Sequence, residues 1–204
     1  MPKINSQNVA KTPLRCLTIL VLNLHGPQNF MQKIPLGIVH GRFQPLHNGH
    51  IRFMQEAFNR AEHVLIGICT PEVCTDQEAE RTGYPCAPHM NPFSHNERID
   101  MITLALSEAG IPKNHYSFIP FPSDYQNIES LIPNGTVFFI SVTSEHDQKK
   151  IAYLEDKGFS VETIFSLPEN SPRERSSTIR NQSENWENMV PECVLEYIKS
   201  TRLG

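Results

Sequence analysis

Residues 34–69 read IPLGIVHGRFQPLHNGHIRFMQEAFNRAEHVLIGIC. The first part, 34–40, is a short apolar run ending at Gly41, the pattern of a buried strand. Ile51, Met54, Ala57, Phe58 and Ala61 then recur at helical spacing, and 63–69 (HVLIGIC) is a second apolar run. The order is therefore strand, glycine-bounded loop, helix, strand. Two strands joined through a helix pair in parallel with a right-handed crossover, because a twisted strand lets the helix pack back only that way.

The alternation continues downstream. Residues 70–91 lack periodicity and carry Pro71, Pro85 and Pro88, and connections of this kind are functional or mobile. Ser94 and Glu97 form a capping box, after which Ile99, Ile102, Leu104, Ala105 and Leu106 supply an apolar helix face. Further strands are predicted at 116–120, 136–141 and 159–164. A helix over 145–157 is closed by Gly158. Short helices are predicted at 177–184 and 191–201, the second with a proline in its first turn. No internal repeat is visible.

Such a pattern specifies an α/β, Rossmann-like doubly wound domain with a mostly parallel five-stranded sheet and helices on both faces. It spans 34–204 as one domain. Ligands of such sheets bind at the carboxyl ends of the strands. The loops after Val39-His40, after Cys69 and after Ile140-Ser141 are expected to line the site. Residues 1–33 are expected to be a poorly ordered extension. Their apolar run, 16–24, follows Lys3, Lys11 and Arg15 but has no small-residue cleavage site behind it, unlike a signal peptide.

Composition narrows the function classes. The chain has 204 residues, 39% hydrophobic and 20% charged, a globular mixture. Net charge is −4 and the pI is about 6.1, which argues against a general nucleic-acid binder. No stretch approaches the ~18 apolar residues of a membrane span. Cys16, Cys69, Cys74, Cys86 and Cys193 are odd in number and show no CxxC spacing. They read as reduced thiols of a cytoplasmic protein rather than a disulfide scaffold, and no protein-held metal is expected.

The loop at 41–50, GRFQPLHNGH, carries the chemistry. Gly41 lets backbone approach a ligand closely. A helix starting near Asn48 aims free N–H groups and the positive end of its dipole at the loop. His47 and His50, with Gly49 between them, can donate hydrogen bonds to phosphate oxygens, and Arg42 adds a fixed charge. Residues 175–180, RSSTIR, open a second helix with Ser176, Ser177 and Arg180, again phosphate-binding equipment.

The first element resembles the HxGH-motif nucleotidyltransferase superfamily, and its fuller form, GRFQPxHxGH, is closest to the archaeal-type nicotinamide-nucleotide adenylyltransferases. The second resembles the superfamily's hydroxyl-rich helix start, with Ser177 and Arg180 in register and Arg175 out of it. This resemblance implies transfer of AMP from ATP to a small phosphate acceptor, nicotinamide mononucleotide, giving NAD and pyrophosphate. By the same resemblance His47, His50 and Arg180 are catalytic, and Gly41, Arg42, Phe43, Gly49, Ser176 and Ser177 bind the nucleotide. Magnesium is expected on the phosphates, and the family often forms homo-oligomers. Adenine is expected near 140–143 and the loop before Ser176.

Residues 91–101, NPFSHNERIDM, resemble a further family stretch. It either docks a capped helix on the sheet or brings Asn91, Phe93 and Arg98 to the acceptor. Archaeal-type members stack nicotinamide on a tryptophan after the third strand; this chain has Ser123-Asp124-Tyr125-Gln126-Asn127 there, making Tyr125 the candidate platform. Its lone tryptophan is Trp186. After the fourth strand it has Ser141-Val142-Thr143 in place of the family's Gly-Asn or Gly-His. These departures keep two alternatives open: a cytidylyl- or adenylyltransferase for another phosphate ester, and a non-catalytic nucleotide sensor.

Overall fold

The computed structural model describes residues 32–70, 87–168 and 171–202. The expected N-terminal extension and most of the 70–91 segment, with Cys16, Cys74 and Cys86, lie outside them. No helix of the described residues is long and apolar enough to cross a membrane.

β1 (Ile34–Gly41) runs at the centre of the sheet. It pairs in parallel with β2 (Ala61–Thr70) from Ile34↔Ala61 to Gly41↔Ile68, and on its other side with β4 (Val137–Val142) at Gly37↔Val137 and Ile38↔Phe138. β3 (Tyr116–Pro122) flanks β2 and β5 (Ser160–Ser166) flanks β4, giving the order β3-β2-β1-β4-β5. Every pairing is parallel, so the five-stranded sheet is wholly rather than mostly so. Parallel sheets survive because helices cover both faces, which explains the near-continuous apolar runs of β1 and β2.

Alternate residues of each strand feed two cores. Val39, Ile66 and Phe139 meet α1 (Asn48–Arg60), α2 (His95–Glu108) and α6 (Glu192–Arg202) on one face. Ile38, Leu65 and Phe138 meet α3 (Ile128–Leu131) and α4 (Glu145–Asp156) on the other. Each wholly buried Ile, Leu, Met or Phe contributes roughly 1.5–3 kcal/mol.

Local chemistry sets the boundaries. α1 passes into β2 without a loop: Ala61, counted above on the helix face, is the first strand residue, while its N–H still bonds Ala57 O. The capping box at α2 forms as expected, with Glu97 N donating to Ser94 Oγ and Ser94 N donating to Glu97 Oε2. Leu104 is 42% exposed, off the buried face of that helix. Gly158 sits at φ 84 behind α4, a left-handed turn residue. α5 (Ser176–Arg180) is shorter than the predicted 177–184, because Gln182 adopts φ 46 and ends the helical path. The short α3 after Asn127 was not anticipated; one turn is too brief for a periodicity to register.

At the sheet centre Gly37 has no room for a side chain: a Cβ there would stand 2.3 Å from the ring of Phe139, which is 0% exposed. Gly37→Ala is expected to lower stability by about 1–3 kcal/mol, read as a lower urea midpoint at unchanged slope. An unchanged midpoint would mean that β1 and β4 can separate there freely.

Candidate active site

The loop joining β1 to α1 is buried, with Phe43, Gln44 and Leu46 at 2%, 1% and 0% exposure. Backbone carbonyls in such a place need partners. Side chains from far along the chain supply them. Arg98 Nη1 donates to Arg42 O at 2.9 Å, Arg180 Nη1 to Gln44 O at 2.5 Å, and Ser176 Oγ to Pro45 O at 3.0 Å. The Gln44 amide completes the clamp, its Nε2 donating to Phe93 O at 2.7 Å while its Oε1 accepts from Phe93 N at 2.9 Å. Phe43 adopts φ 52, a strained value for a bulky residue, and lays its ring over Gly41, where a Cβ would come within 3.1 Å.

His47 is the N-cap of α1. Its Nδ1 accepts from His50 N, and His50 Nδ1 accepts from His47 N, each at 3.3 Å. An imidazole nitrogen that accepts an N–H carries no proton, so in both rings the proton sits on Nε2. The rings stack with centroids 3.6 Å apart, and Phe43 meets His50 edge-on at 5.0 Å. Burial holds both rings neutral. It lowers His47 to about 4, with Glu174 pulling the other way and Arg52 assisting. For His50 burial dominates again, and His47 and Arg42 push it further down, well below the ordinary value. Two neutral rings thus present two Nε2–H donors beside the N-terminus of a helix. Gly49 is required here, since a Cβ would lie 3.1 Å from the His47 ring and 3.3 Å from Glu174 Oε2.

A cavity of about 720 Å³ opens across the carboxyl ends of β1, β4 and β5. That crevice, where β1 leads to β2 on one side and neighbours β4 on the other, is the switch point at which open α/β sheets bind ligands. Arg42, His47, Gly49 and His50 line it beside Phe43. So do Arg52, Lys150, Arg173 and Arg175, cations outside the sequence-based site, with only Asp147 and Glu174 in opposition among the described residues. Glu174 bonds Arg52 at 2.7 Å, which keeps its carboxyl below the usual range.

The other anticipated residues take different places. Ser176 and Arg180 stand behind the loop on its carbonyls rather than on the cavity wall, and Ser177 O accepts from Asn181 N, which caps the end of α5. Arg180 lies close enough to Arg42 to feel its charge, after the larger effect of burial. Asn91 is 5% exposed and its Oδ1 accepts from Arg42 Nη1 at 3.4 Å, putting it one contact behind the cavity. Phe93 is 4% exposed core. Arg98 differs most from the acceptor contact expected of it. It is 0% exposed, and its guanidinium donates to Arg42 O, Cys69 O and Ser94 O. Tyr125 is not an open platform: its hydroxyl bonds His40 Nε2 at 2.5 Å and its ring packs edge-on against Phe121 and Tyr153. Cys69 is buried, which raises its thiol to about 11 and keeps it protonated.

Residues 38–181 match the cytidylyltransferase-like family model. A phosphonoformate cytidylyltransferase of Streptomyces viridochromogenes is 29% identical over 80% of this chain and 90% of its own length. The nicotinamide-nucleotide adenylyltransferase of Thermococcus sibiricus is 31% identical over 81% of this chain and 84% of its own. That of Pyrococcus horikoshii is 33% identical over 81% and 83%. Among solved structures, a bifunctional NMN adenylyltransferase/ADP ribose pyrophosphatase from Francisella tularensis superposes with a TM-score of 0.56 at 18% identity over 83% of this chain. The chain spans about half of that protein, 51%, and the likeness is one of fold. The matched region runs from β1 through α5 and holds both the clamped loop and the helix that clamps it: the chain belongs to the cytidylyltransferase-like family of nucleotidyltransferases.

Proposed function

We propose that the protein transfers AMP from ATP to a phosphate acceptor, nicotinamide mononucleotide being the one its relatives favour, with release of pyrophosphate. The observation that carries this reading is the clamped loop, which sets two Nε2–H donors and the α1 N-terminus in a cavity rich in cations. An acceptor phosphate oxygen attacks the α-phosphorus in line. The new P–O bond forms as the bond to the β-phosphate bridging oxygen breaks, and the electron pair leaves with pyrophosphate. The attacking oxygen is already ionised, so no general base is required. Catalysis is then positioning and charge stabilisation.

His47 and His50 donate to the phosphate oxygens, Arg42 holds the phosphate chain, and Gly41 and Gly49 keep the approach open. Arg180, Ser176 and Ser177 fix the loop from behind, with Arg180 adding charge near Arg42. The residues fit a magnesium ion that arrives on the nucleotide. The cavity's carboxylates are engaged, Glu174 by Arg52 and Asp147 by Thr143, Ser144 and Lys150. Phosphate oxygens and water would be its ligands, and its charge would offset that building on the leaving pyrophosphate.

One observation favours a second reading, cytidylyl or adenylyl transfer to a smaller acceptor. Tyr125, the residue positioned to stack a nicotinamide ring, is packed away against His40 and Phe121.

Pyrophosphate release separates these readings. With magnesium, ATP and nicotinamide mononucleotide the protein is expected to turn over. Release with CTP alone would move the assignment to the second reading, and none with any pairing would refute transfer. In the active pairing, His50→Ala is expected to lower kcat by about a hundredfold or more with the far-UV spectrum retained. Near-normal turnover would remove His50 from the mechanism.

The neutral histidines also give a pH signature. With a folded value near 4 against 6.5 unfolded, His47 binds its proton more readily when unfolded. The stability contributed by the neutral His47 ring is full above pH 6.5 and is lost as pH falls from there toward 4. Thermal midpoints across that window should fall less steeply for His47→Asn than for the wild type; equal slopes would show that the ring is not held neutral.

A further inference from the structure

The cavity reaches around the strand ends to the sheet face opposite α1, where it changes character. There His40 stacks on Phe121 at 4.4 Å, meets Phe138 edge-on and bonds the Tyr125 hydroxyl. Its Nδ1 is buried with no hydrogen-bond partner among the described residues. Beside this pair lies Lys150 of α4, the one lysine among the described cavity-lining residues, with its side chain 23% exposed. It lines the same cavity as His40, and its charge is felt at both His40 and Cys69.

Asp147 fixes that lysine. Its Oδ2 accepts from Thr143 N, Thr143 Oγ1 and Ser144 Oγ at 3.0, 2.9 and 3.0 Å, and its Oδ1 from Lys150 Nζ at 3.3 Å. The carboxylate is saturated, whereas an ammonium has more N–H donors than this one long contact uses. Lys150 therefore has charge and donors to offer the cavity.

The two ends of the cavity suit different parts of the substrates. Toward β5 the wall is apolar, with Phe165 and Leu167, and suits a nucleobase. Toward β1 on the reverse face it is polar, with His40, Asp147 and Lys150. On the nucleotidyl-transfer reading the triphosphate lies on the α1 side, and an acceptor reaching its α-phosphorus then has its remaining length on the Lys150 side.

We infer that Lys150, positioned by Asp147 and backed by the His40–Tyr125 pair, is the specificity-determining contact for a carboxylate on the acceptor, separate from the phosphate or phosphonate that reacts. This rests on the nucleotidyl-transfer step alone, and it favours an acceptor that carries a carboxylate over nicotinamide mononucleotide, whose ring bears an amide.

Acceptor pairs differing in that group test it: phosphonoformate against methylphosphonate, and nicotinate against nicotinamide mononucleotide. The wild type is expected to favour the carboxylate member of a pair by about tenfold to a hundredfold in kcat/KM. Lys150→Met should erase that preference by raising acceptor KM, leaving triphosphate KM unchanged, and Lys150→Arg should keep part of it. A wild type without preference, a preference that survives in Lys150→Met, or an effect on triphosphate KM instead would overturn the inference while transfer stands. Calorimetric titration of phosphonoformate into protein holding magnesium and a non-hydrolysable triphosphate analogue keeps the two ideas apart. Lys150-dependent binding without turnover upholds the subsite and sinks transfer; binding indifferent to Lys150 sinks the subsite.

Discussion

The carbonyl oxygens of Arg42, Gln44 and Pro45 are each held by a side chain remote in sequence, from Arg98, Arg180 and Ser176. Backbone carbonyls in so buried a loop need protein partners, and each left unpartnered would cost about 1–3 kcal/mol. The clamp therefore determines whether the loop holds one shape. The strained φ at Phe43, the mutual capping of His47 and His50 and the position of the α1 N-terminus all follow from that shape. It also explains why α2 and α5, which come from the middle and the end of the chain, are both needed to build a site that lies near its beginning.

The histidines depend on the same enclosure. Burial removes their charge, and the exchange of backbone N–H groups onto Nδ1 fixes where the remaining proton sits. The cavity thus holds directed N–H donors on neutral rings and leaves its full positive charge to arginine and lysine side chains. A division of this kind avoids confining several like charges in a dry space before the phosphates arrive.

Sequence alone revealed the strand–loop–helix–strand unit, the order of the later elements and the decapeptide at 41–50, because apolar spacing and glycine placement are local properties. Parallel pairing followed from handedness. What stayed hidden depends on contacts across the chain. Gln44 looks like one polar loop residue among several until Phe93 is found opposite it. Arg98 reads as a ligand-binding cation, and only its burial under three carbonyls reveals its structural use. Lys150 and Asp147 lie on an ordinary amphipathic helix, where i,i+3 charge pairs usually mean a solvated face. Tyr125 follows β3 as expected, but its ring packs on Phe121 and its hydroxyl bonds His40, and no spacing rule predicts that.

The direct passage of α1 into β2 at Ala61 has an evolutionary consequence. With no connecting loop to absorb an insertion or deletion, a change of one residue in α1 would rotate the histidine end against the sheet and shift every register contact of β2. The β1–α1–β2 half is thus locked as a unit of fixed length. α4, by contrast, follows β4 through the turn at Thr143-Ser144 and precedes β5 through the turn at Gly158, so it can vary without disturbing that unit. Within such a scaffold, substrate range can diverge between descendants while the transfer machinery stays the same.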